Sequence, residues 1–235
     1  MNILSCRLLH LPLICGIFCG CSYSVYSGEL TSKNFNLESY SKIEIFGNFD
    51  LSINGEIQSD VVISAPSDAF QNLFIDINED ILKIYHDDVS GNFLKRAEVI
   101  IRNDTLSEIM QHGNGSFSGH IKSEDYLKLH LTGTKIELRS ESDYLEADMD
   151  FYASGSFKGR CEMLILNIES GNRAVDASEM LADSAEVHLI GQGVVVINAA
   201  EYLDAHIRGG GSVKYVGNPK INKTIWGVGG EVIPY

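Results

Sequence analysis

Five short motifs in the C-terminal half of the chain each place an acidic residue before a tyrosine or methionine and a leucine. They are Asp125-Tyr126-Leu127, Asp143-Tyr144-Leu145, Glu162-Met163-Leu164, Glu179-Met180-Leu181 and Glu201-Tyr202-Leu203. Carboxylates gathered in a row are the ligands that calcium uses in proteins, and tyrosine rings stack against sugar rings. The motifs therefore predict a surface on which acids and aromatic rings recur.

The motifs are spaced by 18, 19, 17 and 22 residues, which predicts that equivalent positions line up in columns across stacked coils. Neighbouring carboxylates in such a column, about 4.8 Å apart, repel by about 1 kcal/mol even at the dielectric of water. Solvation or a bound cation must offset that repulsion. Because no Asp-rich, glycine-kinked loop accompanies the acids, we expect a solvated column rather than a calcium site.

The residues that follow the acids form a second column, in which sugar stacking competes with packing at the corner of the coil. Tyr126 and Tyr144, in adjacent copies, are the best candidates for a ligand contact. The predicted ligand surface consists of these acids and tyrosines: Asp125, Tyr126, Asp143, Tyr144, Glu201 and Tyr202.

A third column lies three residues after each leucine, or after Ala185 in the fourth copy, where an insertion delays the alternation, and on the side opposite the apolar residues. It consists of His130, Asp148, Asn167, His188 and His206. Neighbouring histidines at one stack spacing can bind a metal or respond to pH, but a polar ladder facing solvent is the interpretation we favour. We expect neither a metal nor another cofactor.

Short runs of alternating apolar and polar residues surround these positions, and a period of two indicates strands. Each motif leads through alternation to a glycine, and glycine supplies the backbone freedom of a sharp corner. A repeat this short buries its apolar side only by stacking. The sequence thus predicts an all-β fold, a parallel β-helix (β-solenoid), in which leucine stacks on leucine.

Both ends of the stack have their own predicted structure. Residues 40–102 form a hairpin-rich β region, with a hairpin turn at Asn54-Gly55 and a helix of at most two turns over 67–73. Residues 212–233 form a short C-terminal cap that finishes the last coil.

Composition bounds the class of protein. The 235 residues carry 18 Lys and Arg against 32 Asp and Glu, a net charge of −14, and 44% are hydrophobic. The apolar content suits one folded domain. The acid excess excludes a nucleic-acid partner, because phosphate binding needs clustered basic residues.

The first twenty residues have the layout of a signal peptide, with Arg7 before an apolar stretch over 8–18. That stretch is too short to span a bilayer. Phe18-Cys19-Gly20-Cys21 resembles a bacterial lipobox, so residues 1–20 are a predicted lipoprotein signal peptide and Cys21 the lipidated residue. Cleavage by ordinary signal peptidase near Ser24 or Ser27 is the alternative.

This assignment predicts a membrane partner, reached through the lipid anchor on Cys21. The protein then lies in the cell envelope, anchored to the outer membrane on its periplasmic or surface face. Residues 21–37 form a tether and residues 38–235 a single domain. Since only Cys21 and Cys161 remain after cleavage, no disulfide framework is expected.

Residues 38–233 resemble the head GIN domain family of autotransporter adhesins. The resemblance rests on the opening at 40–51 (YSKIEIFGNFDL), on the glycine-cornered repeats and on the ending at 210–220 (GGSVKYVGNPK). It implies a right-handed β-helix and a role in envelope adhesion or ligand binding. The corners at Gly133-Thr134-Lys135 and Gly171-Asn172-Arg173 depart from the family pattern by lacking its second glycine.

Two functions remain open. The first is a non-enzymatic, adhesin-like binding module of the envelope that takes a glycan or protein ligand and self-associates as a homo-oligomer along exposed edges. The second is a polysaccharide-active lyase or glycosidase, since secreted β-helices often carry that chemistry. Paired carboxylates in separated environments and a Gly-x-Ser-x-Gly elbow are both missing, which favours the binding module.

Overall fold

The computed structural model describes residues 24–26, 28–87, 92–93, 96–123, 125–150, 152–170 and 173–235. The predicted leader and Cys21 lie outside these residues. The described chain is nearly all β and forms a β-solenoid of about six turns. Its strands are β1 (Ser24–Val25), β2 (Leu30–Phe35), β3 (Lys42–Phe46), β4 (Phe49–Ile53), β5 (Val61–Pro66), β6 (Leu73–Asn78), β7 (Ile81–His86), β8 (Asn92–Phe93), β9 (Ala97–Ile101), β10 (Glu108–His112), β11 (Ser116–Lys122), β12 (Tyr126–Thr132), β13 (Lys135–Glu141), β14 (Tyr144–Asp150), β15 (Ser154–Ser170), β16 (Ala174–Gly191), β17 (Val194–Arg208), β18 (Ser212–Val216), β19 (Lys220–Trp226) and β20 (Glu231–Pro234).

The coils stack as two parallel faces. The first face contains, in stacking order, β7, β3, β10, β12, β14, the C-terminal halves of β15, β16 and β17, and β19. The second face contains β9, β4, β11, β13, the N-terminal halves of β15, β16 and β17, β18 and β20. Strands β15 to β17 cross from one face to the other without a break.

The predicted apolar spine is confirmed. On the first face the leading inward position forms one column across five coils, Leu127, Leu145, Leu164, Ala185 and Leu203. All five side chains are buried. Parallel strands in register place like residues on top of one another, so the apolar side that one coil cannot bury becomes a shared interior.

The N-terminal region joins the stack in a way that the turn signals did not predict. Strands β3 and β4 form a coil between β10 and β11 on one side and β7 and β9 on the other. The antiparallel pairs are β6 with β7, β5 with β9 and β2 with β5. Region 40–102 therefore supplies solenoid coils as well as antiparallel strands.

Two local predictions in this region are wrong. The strands that flank Asn54-Gly55 do not pair with each other, because β5 pairs with β2 and β9 instead. The Asn54 side chain accepts a hydrogen bond of 3.0 Å from the backbone N–H of Glu56, which makes a local turn. The predicted helix shortens to one 3₁₀ turn, Ala69–Gln71, since Asp68 makes no capping hydrogen bond and β6 begins at Leu73.

Part of the predicted tether is folded. Strand β2 pairs antiparallel with β5 from Leu30 to Phe35, and the backbone N–H of Leu37 donates a 2.9 Å hydrogen bond to Asp60 Oδ2. The two-residue strand β1 pairs with β8. Tertiary pairing therefore fixes much of the chain between the predicted anchor and the domain.

The C-terminal segment ends the stack with parallel strands in register. Lys223 in β19 lies opposite Ala205, whose side chain points into the core. Lys223 is exposed because no further described coil covers it. A charged residue at an inward position discourages another strand from adding to an edge.

Gly113 makes a corner that no other residue type can make without strain. Its φ is 139°, and a Cβ atom there would lie 2.1 Å from the carbonyl oxygen of Gly47 in the neighbouring coil. We expect Gly113→Ala to lower the free energy of unfolding by about 2 kcal/mol or more, since positive φ and a backbone clash add. Thermal unfolding followed by circular dichroism measures the loss.

Gly55→Ala is the matched control for this variant. A Cβ atom at Gly55 would meet nothing closer than the Asp104 Oδ2 atom at 3.8 Å. The midpoint of unfolding should therefore change little in the control. Equal midpoints for the two variants would contradict the close approach of the coils at Gly113.

Candidate functional site

The predicted acidic column lies along the edge where each coil passes from the second face to the first. Register pairs Tyr126 with Tyr144 and Tyr144 with Met163, which aligns the three preceding acids. We call the aligned acids, with Tyr126, Tyr144 and Tyr202, the acidic edge. Its acids are Asp125, Asp143, Glu162, Asp183 and Glu201.

The fourth member of the predicted column is wrong. Met163 pairs with Ser184, so Asp183 takes the place predicted for Glu179. Glu179 lies instead on the second face, where it pairs with Lys158, and the two side chains form an ion pair of 2.9 Å. A register irregularity before Lys158 and the extra residues Ala-Asp-Ser shift the alignment of this coil. The side chain of Met180, which was predicted to follow the acid in the column, is buried.

The tyrosines divide into a pair and a single residue. Tyr126 and Tyr144 are register partners in adjacent coils, with 38% and 49% of their surface exposed. Tyr202 is partly buried, and Met163 and Ser184 separate it from Tyr144 in the column. Of the three tyrosines on the acidic edge, only Tyr126 and Tyr144 present neighbouring rings to solvent.

A polar network fixes Tyr126 from the first face. Its hydroxyl donates to Glu146 Oε2, and Lys128 Nζ donates to Glu146 Oε1 at 3.0 Å. Lys128 also lies 3.8 Å from Asp148 Oδ2, and His130 Nδ1 lies 2.9 Å from the same oxygen. The network holds the Tyr126 ring in one orientation.

The pKa directions in this network follow its contacts. Burial, assisted by the hydrogen bond to Glu146, raises the pKa of Tyr126 above its ordinary value. Burial opposes ionisation of Glu146, but hydrogen bonds from Tyr126 and Lys128 outweigh it and hold the pKa of Glu146 below its ordinary value. Because that pKa is depressed in the fold, the stabilisation by Glu146 is present at neutral pH and is lost only as pH falls through the depressed value.

Two open clefts lie along the acidic edge, and both include Ser123. One, of about 500 Å³, is lined by Thr105, Ser107, Lys122, Ser123, Asp125 and Tyr126. The other, of about 430 Å³, is lined by Ser123, Glu141, Ser142, Asp143, Arg160, Cys161 and Glu162. Hydroxyls, carboxylates and a guanidinium thus line the acidic edge, where Tyr126 borders the first cleft and Asp143, which precedes Tyr144, borders the second.

Sequence reasoning missed several lining residues of these clefts. Arg160 and Ser123 stand outside the acid–aromatic–leucine motif, and nothing in their local spacing signals a site. Asp183 could have been predicted from the sequence. The alternation of apolar and polar residues resumes at Ala185, directly after the Ala-Asp-Ser insertion that follows Leu181. Its place depends on counting back from the buried Ala185 rather than forward from Glu179.

Cys161 lines one cleft but is not a reactive thiol. Its side chain is 1% exposed, and burial together with the nearby Asp183 carboxylate raises its pKa to about 12. A thiolate is the nucleophilic form, so this side chain acts as a small core residue.

The third predicted column is confirmed as an outward-facing ladder. His130 pairs with Asp148, Asp148 with Asn167, Asn167 with His188, and His188 with His206. The sequence did not predict that Glu186 and Asp204 lie beside the last two histidines in the neighbouring column. The outer surface of the first face therefore carries two parallel polar columns.

These features define a β-solenoid that presents an extended, acid-rich outer surface. The chain belongs to the family described as "Putative auto-transporter adhesin, head GIN domain", whose model matches residues 39–219. It is an adhesin-like β-solenoid, and this family suggests an envelope or surface protein. In the described part of the chain, no helix has the length and apolar character needed to cross a bilayer.

Solved structures share the fold. A "putative adhesin" from Bacteroides fragilis superimposes with a TM-score of 0.79 at 21% identity, covering 90% of this chain and 99% of that one. A "putative lipid binding protein" from Parabacteroides distasonis has a TM-score of 0.68 at 17% identity, covering 90% and 98%. A "putative adhesin" from Parabacteroides merdae has a TM-score of 0.61 at 18% identity, with coverage of 90% and 98%. Among curated proteins, none matches the sequence.

Proposed function

We propose that the protein is a non-enzymatic lipoprotein of the cell envelope that binds a glycan along its acidic edge. The observation that carries this proposal is the pair of exposed, register-aligned rings of Tyr126 and Tyr144 on the acidic edge, along which two polar clefts open. Rings at one coil spacing, held on a rigid sheet, are preorganised to contact adjacent faces of a sugar chain.

The polar lining supports a glycan rather than an apolar ligand. Ser107, Ser123 and Ser142 supply hydroxyls, while Asp125 and Asp143 supply acceptors for sugar hydroxyls. Both carboxylates lie at exposed positions on the same edge. A glycosidase places its two carboxylates in different environments so that one stays protonated and the other ionised, whereas Asp125 and Asp143 share one exposed edge, which favours binding.

Lipidation at Cys21 would hold the body close to the outer membrane. The first described strand begins at Ser24, three residues after Cys21, and three residues span about 11 Å at most. Strand β2 follows within the predicted tether. The anchor would therefore keep the N-terminal end of the protein near the lipid surface.

The double variant Tyr126→Ala, Tyr144→Ala tests the glycan proposal. We expect the intact protein to bind a subset of a glycan array and the double variant to lose roughly tenfold or more in affinity, since anchoring aromatic residues carry much of a binding energy. Isothermal titration with the best array ligand measures the change. Titrations with and without calcium test whether a cation assists the acids.

Tyr152→Ala is the control, because Tyr152 is 65% exposed and lies outside the acidic edge. Full affinity in the double variant would disprove the role of the tyrosine pair. Reproducible turnover of a polysaccharide by the intact protein would contradict the binding module and support the alternative, a polysaccharide-active enzyme.

A further inference from the structure

Two histidines and two acids lie together on the first face, beginning two coils beyond Tyr144. Glu186 and His188 lie in β16, and Asp204 and His206 lie directly beside them in β17. His188 Nε2 is 2.6 Å from Glu186 Oε1, and His206 Nε2 is 3.2 Å from Asp204 Oδ1. The ligand atoms of Glu186, His188 and His206 all lie within 4.8 Å of one another.

We propose that Glu186, His188, Asp204 and His206 form a surface site for a divalent transition metal, with Zn²⁺ as its simplest occupant. Two imidazoles and two carboxylates are a donor set that suits Zn²⁺, and tetrahedral coordination needs four ligands. Because the two acid-x-His pairs are in register on adjacent strands, the backbone brings Glu186, His188 and His206 together and places Asp204, the fourth ligand, beside them.

The charge of the cluster favours a cation. In the part of the chain that the structure describes, neither Glu186 nor Asp204 forms an ion pair with a lysine or arginine. The same two columns contain a contrasting set at Lys128, His130, Glu146 and Asp148, where Lys128 lies between the two acids. The Glu186 cluster therefore has two carboxylates without a lysine or arginine partner, whereas Lys128 partly neutralises the other set.

Small rotations would complete the coordination. The rings of His188 and His206 are stacked with centroids 4.8 Å apart and planes 5° apart. Nitrogen ligands of a tetrahedral Zn²⁺ lie about 3.4 Å from each other, so both rings must turn their Nε2 atoms toward a common centre. The side chains are 41% and 26% exposed, which leaves room for this turn.

Asn222 helps to orient one of the ligands. Its Nδ2 atom donates to both carboxylate oxygens of Asp204, at 3.1 and 3.2 Å. Such contacts from the surroundings orient metal-binding carboxylates. We regard Asn222 as a positioning residue rather than a ligand.

The single tryptophan of the chain reports on this site. Trp226 is 53% exposed and stacks near the His206 ring, with centroids 6.2 Å apart and planes 19° apart. Rotation of His206 on metal binding should therefore change the tryptophan emission. The reporter and the ligand lie on adjacent strands, β19 and β17.

The test titrates the purified protein with ZnCl₂ while following tryptophan fluorescence and heat. We expect saturable binding of one Zn²⁺ per chain with a change in emission. His188→Gln and His206→Gln should each weaken binding tenfold or more. Ca²⁺ should not compete, because it prefers six to eight oxygen ligands.

His130→Gln is the matched control, since His130 also faces two acids but lies beside Lys128. It should bind Zn²⁺ like the unmodified protein. Glu186→Gln, which preserves side-chain shape, provides a second test if a histidine variant does not fold. Absence of Zn²⁺ binding at millimolar metal, unchanged binding in the histidine and Glu186 variants, or binding without a tryptophan response would each overturn the proposal.

Discussion

Cys21→Ala should abolish metabolic labelling of the protein by a fatty-acid analogue. The thiol of Cys21 is the predicted acceptor of the lipid, and alanine offers no atom to which the chain could be attached. Each buried methylene contributes about 0.8 kcal/mol to membrane binding, and stable anchoring needs more than one acyl chain. The expected result is a complete loss of label, together with a change in the mass of the mature N-terminus.

Labelling and N-terminal mass are the measurements that decide this prediction. Membrane fractionation alone would not, because an uncleaved leader with its apolar stretch over 8–18 also partitions into the bilayer. Cys19→Ala is the control, since it changes a neighbouring thiol and leaves Cys21 in place. An unlabelled mature protein that begins near Ser24 or Ser27 would contradict the anchor and support ordinary signal peptidase.

Leu166→Ala should lower the free energy of unfolding by about 3 kcal/mol, within the range of 2 to 5 kcal/mol typical of buried leucines. Leu166 is fully buried and stacks between Ala147 and Val187 of the adjacent coils. Its small neighbours cannot fill the space that the side chain leaves. For a domain of this size the midpoint of thermal unfolding should fall by about 6 to 12 °C.

Ile165→Ala in the same strand is the control for the spine. Ile165 precedes Leu166, points to the outer surface of the first face and is partly exposed. Its loss should cost less than about 1 kcal/mol, because less apolar surface returns to water. If the two variants unfolded at the same temperature, the apolar spine would not be the main source of stability.

The repeated part of the fold could be predicted because its signals are local. Leu127, Leu129 and Leu131 alternate with polar residues and lead to Gly133, and each later coil repeats this pattern. Alternation decides which side chains face inward, since successive residues in a strand point to opposite faces. The third column, including His188 and His206, follows from the same count.

The N-terminal region could not be predicted in the same way. Asn54-Gly55 favours a two-residue hairpin in isolation, but β5 forms its backbone hydrogen bonds with β2 and β9 instead. Turn residues indicate where a chain can reverse direction, but they do not indicate which strands will pair through backbone hydrogen bonds. The tether was misjudged at Leu30–Phe35 for the same reason, because an edge strand needs its partner to be stable.

The candidate site shows the same division. Tyr126 and Tyr144 were found by their spacing, whereas the place of Asp183 depended on how an irregular coil was accommodated. Glu186 and Asp204 carried no motif of their own, and became notable only because two acid-x-His pairs arrived side by side.

The sequence by itself determined an all-β chain, the inward face of each strand, the glycine corners and the family. Tertiary structure decided the order in which the coils stack, the replacement of Glu179 by Asp183, and the gathering of Glu186, His188, Asp204 and His206. The physical reason is that side-chain alternation acts between neighbours along the chain. Register between coils depends instead on backbone hydrogen bonds and packing over about twenty residues, so the irregularity before Lys158 displaced Glu179 until the Ala-Asp-Ser segment restored the alignment.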